Sequence, residues 1–220
     1  MGYRLDDKEI KKFNVRLIGK GKKGNVYRFH DAALKLFKED IPPIEEETAK
    51  YLTSISTDRI LLPINLVFYN NKFRGYTYKL VPKKGSGQRM TMLPKTDLVQ
   101  DIRILERDID TLTDKSVLLS GLDETNSIFN GELYLTDPSG YSVLEDMSKD
   151  ELNRINKFQL HLLLVKLIKI DLNKTNFSTK ANIDEIERML KTKDADENSS
   201  DFFAEIISKN DTVREFVKKL

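Results

Sequence analysis

The sequence predicts an α+β protein in two parts: residues 1–82 carry a five-stranded antiparallel sheet with one helix, and residues 83–220 are mostly helical. Three observations lead there. Runs of β-forming residues broken by short turn signals crowd the first part, at 13–18, 25–29, 32–37, 62–69 and 72–81. Apolar residues at 98, 102, 105, 109 and 112 alternate steps of four and three, the stripe of an amphipathic helix. Segment 150–172 is the most hydrophobic helical pattern and predicts a buried pillar in the second part.

With 220 residues, 39 % of them hydrophobic, the chain can bury one good core or two small ones. Lys+Arg 37 against Asp+Glu 35 gives a formal charge of +2, which argues against nucleic acid or an anionic membrane as the main partner. The lack of cysteine excludes disulfides, thiolate metal sites and cysteine nucleophiles, and with no secretory pattern it predicts a cytoplasmic protein. No run approaches the ~18 apolar residues of a spanning helix. His30 and His161 are too few and too far apart for a zinc site, and His161 reads as structural.

Met1–Lys12 is polar and charged and is expected to add a strand or a short helix before the first main strand, 13–18. Gly19, Gly21, Gly24 and Val26 then spell G-x-G-x-x-G-x-V. Glycines in this spacing let backbone N–H groups press on phosphate oxygens and let the turn take positive φ. The same glycines open the dinucleotide-binding turn of Rossmann folds, which a helix must follow. Here Asn25–Phe29 is rich in β-formers, and after His30-Asp31 comes a second strand pattern, Ala32–Phe37, so a glycine loop between strands fits better. Lys35 lies in Ala-Ala-Leu-Lys, similar to the V-A-I-K strand of protein kinases, and the two motifs stand in kinase order. The chain therefore resembles the protein-kinase superfamily, as a small and degenerate member. The resemblance implies a two-lobed fold, with residues 1–82 as N-lobe and 83–220 as a reduced helical C-lobe.

After Pro42-Pro43, residues 44–55 carry helical spacing with three glutamates at the start, and the resemblance makes this helix αC. Ile44, Glu47 and Tyr51 share a face at i, i+3 and i+7, so Glu47 is expected to pair with Lys35, with Glu46 as the fallback. The same glutamates also suit a helix N-terminus through its dipole. Residues 62–69 and 72–81 form two strands around an Asn70-Asn71 turn, and the Gly-rich run after Pro82 marks the interlobe hinge. By resemblance Tyr78 is the gatekeeper, and the backbones of Lys79 and Val81 meet the adenine edge.

Residues 116–141 are similar to the family's catalytic loop, hairpin and metal loop. Asn126 matches the Asn closing H-R-D-L-x-x-x-N, Asn130-Gly131 signals a type I′ turn, and Asp137 stands where the family has D-F-G. The resemblance assigns Asn126 and Asp137 to Mg²⁺ and Lys35 with the glycine loop to ATP. Departures are as informative. The catalytic Asp position holds Gly121, which leaves Asp123 as the candidate base; D-F-G is Asp-Pro-Ser, and A-P-E is missing. Ser148 and Glu151 form a capping box before the pillar helix, leaving no room for a long activation loop. Beyond it the pattern predicts helices at 183–190, 201–209 and 212–220.

Two functions fit. One is an ATP- and magnesium-dependent transferase acting on a protein or on itself. The other is a pseudokinase that binds nucleotide and serves as a protein-interaction module. A Rossmann dehydrogenase is disfavoured by the strand after Gly24.

Overall fold

The computed structural model describes residues 2–6, 16–38, 42–81 and 95–173. The expectations for residues 13–15, for the hinge after Pro82 and for the C-terminal helices lie outside them.

The protein is α+β, with a six-stranded mixed sheet and, among the described residues, three helices. The strands are β1 (Gly2–Leu5), β2 (Leu17–Lys20), β3 (Gly24–Phe29), β4 (Ala32–Phe37), β5 (Asn65–Tyr69) and β6 (Lys72–Lys79), in the order β1-β5-β6-β4-β3-β2. Every neighbouring pair from β2 to β6 is antiparallel. The expectation of five purely antiparallel strands is corrected by β1, which runs parallel to β5 and covers what would otherwise be that strand's bare edge.

Local chemistry explains the hairpins. Asn70 and Asn71 both have positive φ, 50° and 58°, the type I′ geometry that matches the twist of the flanking strands. His30, at φ 55°, turns β3 into β4. Gly75 answers a tertiary need: a Cβ there would stand 1.9 Å from the Lys35 carbonyl oxygen on β4, so only glycine lets the two strands pair at this point.

Helix α1 (Glu46–Leu52) is shorter than expected. Pro42-Pro43 and an extended Glu45 (ψ 144°) hold the chain out of helical phase until residue 46, so Ile44 is not part of the helix. Its buried side is Ala49 and Leu52. Helix α2 (Lys95–Asp114) buries Leu98, Ile102, Leu105, Ile109 and Leu112, the stripe read from the sequence. Helix α3 (Lys149–Asn173) buries Leu152, Leu160, Leu163, Leu164 and Ile168 against it. One hydrophobic core joins Ala33 and Phe37 of the sheet, α1, α2 and α3.

Between α2 and α3 lie β7 (Val117–Leu118), β8 (Ser127–Phe129), β9 (Leu133–Leu135) and β10 (Ser142–Val143), paired as β7 with β10 and β8 with β9. The β8–β9 turn is not type I′. Phe129 pairs with Leu133 across a three-residue loop, and only Gly131, not Asn130, has positive φ (99°). Asn130 instead accepts the Glu132 N–H at its side-chain oxygen.

Buried polar side chains clamp the loops. Asp108 of α2 accepts the backbone N–H groups of Asp58, Arg59 and Ile60. Asn156 of α3, fully buried, accepts the Leu119 N–H and donates to Val117 O and Thr113 Oγ1. Leu61 N–H and Leu135 O, and Leu135 N–H and Arg59 O, then bond the segment after α1 to β9.

Candidate functional site

Lys35 stands on β4, only 5 % exposed, and its ammonium pairs with the carboxylate of Asp137 just beyond β9. The sheet and the β8–β9 hairpin thus converge on one charge pair. Asp137 takes a left-handed conformation (φ 64°, ψ 73°), which Asp tolerates better than most residues, and accepts the Ser139 N–H at 3.3 Å. Tyr76 donates to the same carboxylate oxygen at 3.4 Å. Burial pushes Lys35 below its usual range against the pull of Asp137. Burial also works to raise Asp137, but Lys35 and Ser139 outweigh it and hold the carboxyl low.

The expected Lys35–Glu47 pair is corrected here. Glu47 is exposed on α1 and Lys35 is paired with Asp137. Glu47 lies two residues from Ala49, about 200° around the helix, and so turns away from the core that Ala49 enters. Glu46 is likewise exposed, and Tyr51, 38 % exposed, bonds the Lys115 carbonyl.

The glycine loop serves close approach, not positive φ. None of Gly19, Gly21 and Gly24 has positive φ; among the described glycines only Gly121 and Gly131 do. Gly21 N–H bonds Gly24 O at 2.9 Å and closes the loop. A Cβ on Gly24 would meet the Leu36 carbonyl oxygen at 2.6 Å and Lys35 Cε at 3.3 Å, so this glycine makes room for the lysine's stem. Gly19 is roomier, its nearest neighbour being Val26 at 3.5 Å. Val26 pairs with Lys35 in the β3–β4 register. Lys23 at the loop's end reaches Ser139 Oγ at 3.5 Å.

Asn126 and Asp137 flank the open end of the β8–β9 hairpin, held by bonds from Thr136 N (2.7 Å) and Oγ1 (3.1 Å) to the Asn126 carbonyl. The Asn126 side-chain N–H donates to Gly121 O at 2.9 Å, leaving the amide oxygen for another partner. An amide and a carboxylate oxygen are donors of the kind a hard dication takes, with its remaining positions filled by water and phosphate. Among the described residues no group of three His, Cys, Asp or Glu side chains could hold a metal by itself.

Asp123, the candidate base, is a cap. Its Oδ1 accepts Thr125 N–H, Thr125 Oγ1–H and Asn126 N–H and so starts the short 3₁₀ turn Glu124–Asn126. Gly121 has φ 74° and lies on the exposed side of this loop. Tyr78 is buried and Val81 likewise, while Lys79 is exposed with its ammonium 5.6 Å from the centre of the Tyr134 ring.

Four side chains at this centre escape sequence reasoning: Lys23, Tyr76, Ser139 and Tyr141. Tyr141 is buried and its hydroxyl has no hydrogen-bond partner; burial, then the Asp137 charge, hold it protonated well above the usual tyrosine range. Only the position of Ser139, two residues past Asp137, carried any signal. A separate cavity of about 500 Å³, lined by Arg16, Leu17, Ile18, Arg28 and His30, does not touch this centre. No protein-family model matches the sequence, and no curated protein does. Among the described residues no helix is long and apolar enough to cross a membrane.

Proposed function

We propose that this protein binds ATP with a divalent metal in a kinase-like cleft between the sheet and the β8–β9 hairpin. One observation carries the reading: a buried lysine from the third of five antiparallel strands meets, far along the chain, the carboxylate that follows a hairpin opened by Asn126. Phosphate and metal sites of a bound nucleotide lie next to each other, so the groups that hold them must converge in this way. Around the pair, burial disfavours charge, while Lys23 and the Tyr141 hydroxyl are donors with little or nothing to satisfy them. Anionic oxygens answer that need.

In this reading Lys35 leaves Asp137 for the phosphates, Asp137 and Asn126 hold Mg²⁺, and the loop closed by Gly21 and Gly24 covers the phosphates. Magnesium neutralises charge on the phosphates when bound. A protein hydroxyl, or one of this chain, is the acceptor expected of a kinase-like transferase. The test is thermal unfolding of the full chain with Mg-ATP. A ligand at 100 times its Kd stabilises by about 2.7 kcal/mol, a rise of several degrees. No shift at millimolar Mg-ATP refutes the proposal.

A second reading, a pseudokinase acting as a nucleotide-regulated interaction module, is favoured by the catalytic loop. Gly121 stands at the base position and one oxygen of Asp123, Oδ1, is occupied as a cap. General-base assistance is worth about 10²–10⁴-fold, and its loss leaves binding intact. Nucleotide binding without measurable autophosphorylation or γ-phosphate release selects this second reading.

A further inference from the structure

We propose that Lys23 is a second phosphate-binding lysine, which takes the outermost phosphate of a nucleotide and makes the site grade nucleotides by phosphate number. The inference rests on the nucleotide reading above and deepens it.

The backbone around Lys23 is held on both sides. Lys38 Nζ donates to Gly21 O at 2.6 Å, Lys38 N–H to Lys23 O at 3.2 Å, and Gly21 N–H to Gly24 O at 2.9 Å. From this fixed turn the Lys23 side chain reaches to the Asp137-Pro138-Ser139 turn, ending 3.5 Å from Ser139 Oγ. Its charge is close enough to Lys35 to disfavour that ammonium.

Lys35 already holds the Asp137 carboxylate. Lys23 meets only a neutral hydroxyl at the long limit of a hydrogen bond, so a cation stands at the cleft without a counter-ion among the described residues. An anionic oxygen placed there gains a charge-assisted bond and relieves the repulsion between the lysines. Lys35 is the deeper of the two and Lys23 the outer, exposed one. With Lys35 on the inner phosphates, the outer phosphate falls to Lys23. Lys22, its neighbour in the chain, is likewise exposed.

The experiment is calorimetric titration of ATP, ADP and AMP, with Mg²⁺ present, into the wild-type chain and into Lys23→Ala, Lys23→Arg and Lys22→Ala, each checked for folding by circular dichroism. The expected result is a loss of about tenfold for ATP in Lys23→Ala, the size of one hydrogen bond to a charged group, with AMP changed less than about twofold. Lys23→Arg keeps most of the ATP affinity and Lys22→Ala all of it. An equal loss for all three nucleotides, no loss, or an equal effect of Lys22→Ala overturns the assignment and leaves the nucleotide reading standing. A wild-type chain that binds none of the three overturns both.

Discussion

Asp137 and Lys35 form a pair that neither residue can leave cheaply. Removing one partner strands the other charge in a buried place, which costs about 3–5 kcal/mol, whereas removing both is far milder. Asp137→Asn, which keeps a residue tolerant of the φ of 64°, is therefore expected to cost about that much in urea denaturation, and Lys35→Met added to it to recover a large part. The pH dependence has a definite sign. The Asp137 carboxyl is lowered in the folded state from its usual 3.8, so its contribution is present above that value and lost as pH falls through the folded one. The acid limb of the stability curve should accordingly be shallower in Asp137→Asn than in the wild type; equal limbs would show that Asp137 is not held low. Glycines supply a second test at this scale. Gly75→Ala drives a Cβ into the Lys35 carbonyl at 1.9 Å and is expected to cost about 3 kcal/mol or more, while Gly19→Ala, with 3.5 Å to spare, stays within about 1 kcal/mol. Similar values for the two would mean that strand pairing at Gly75 relaxes freely.

The elements between α2 and α3 owe their shape to carboxylates used as caps. Asp123→Ala should lose about 1 kcal/mol, the ordinary value of a helix cap, and leave any phosphotransfer unchanged, because its oxygen serves Thr125 and Asn126. A loss of robust activity with unchanged stability would make it the base after all. Asp108 of α2 does more, and for a different segment, the chain before β5. It receives three backbone N–H groups from the segment 58–60, and Asp108→Ala leaves them buried or half-buried without an acceptor, a loss of about 3 kcal/mol in chemical denaturation. A cost below about 1 kcal/mol would mean that water replaces the carboxylate.

Among the described residues the larger of two apolar clusters runs from Ala33 and Phe37 of the sheet through Leu52 of α1 to Ile109 and Leu164 of α2 and α3. Joined apolar surface of this kind makes unfolding cooperative. Tyrosine fluorescence, available because the chain has eight tyrosines and no tryptophan, should follow the same denaturation curve as far-ultraviolet circular dichroism. Two separated transitions would mean that sheet and helices fold as independent lobes.

How much was legible in the sequence follows the range of the forces. Asn70-Asn71 dictated its turn and residues 98–112 their helix face, because turn chemistry and a 3.6-residue period act within a few positions. The groups of the candidate site were also named in advance: Lys35, Asn126 and Asp137. Their relations were not. Helical counting from Ile44 put Glu47 beside Lys35, but two prolines delay the helix and send Glu47 to solvent. The glycines were read as serving close approach and unusual φ; none of Gly19, Gly21 and Gly24 has positive φ, and the space at Gly24 goes to the neighbouring strand and the lysine stem. Sequence by itself determined the strand patterns at 25–29, 32–37 and 72–79 and the helix faces at 98–112 and 150–172, and it named Lys35, Asn126 and Asp137 as candidate site residues. Only the tertiary structure decided that β1 joins the sheet in parallel and that Lys35 takes Asp137. Those outcomes depend on which surfaces pack together across long stretches of chain, and packing is a property of the whole core.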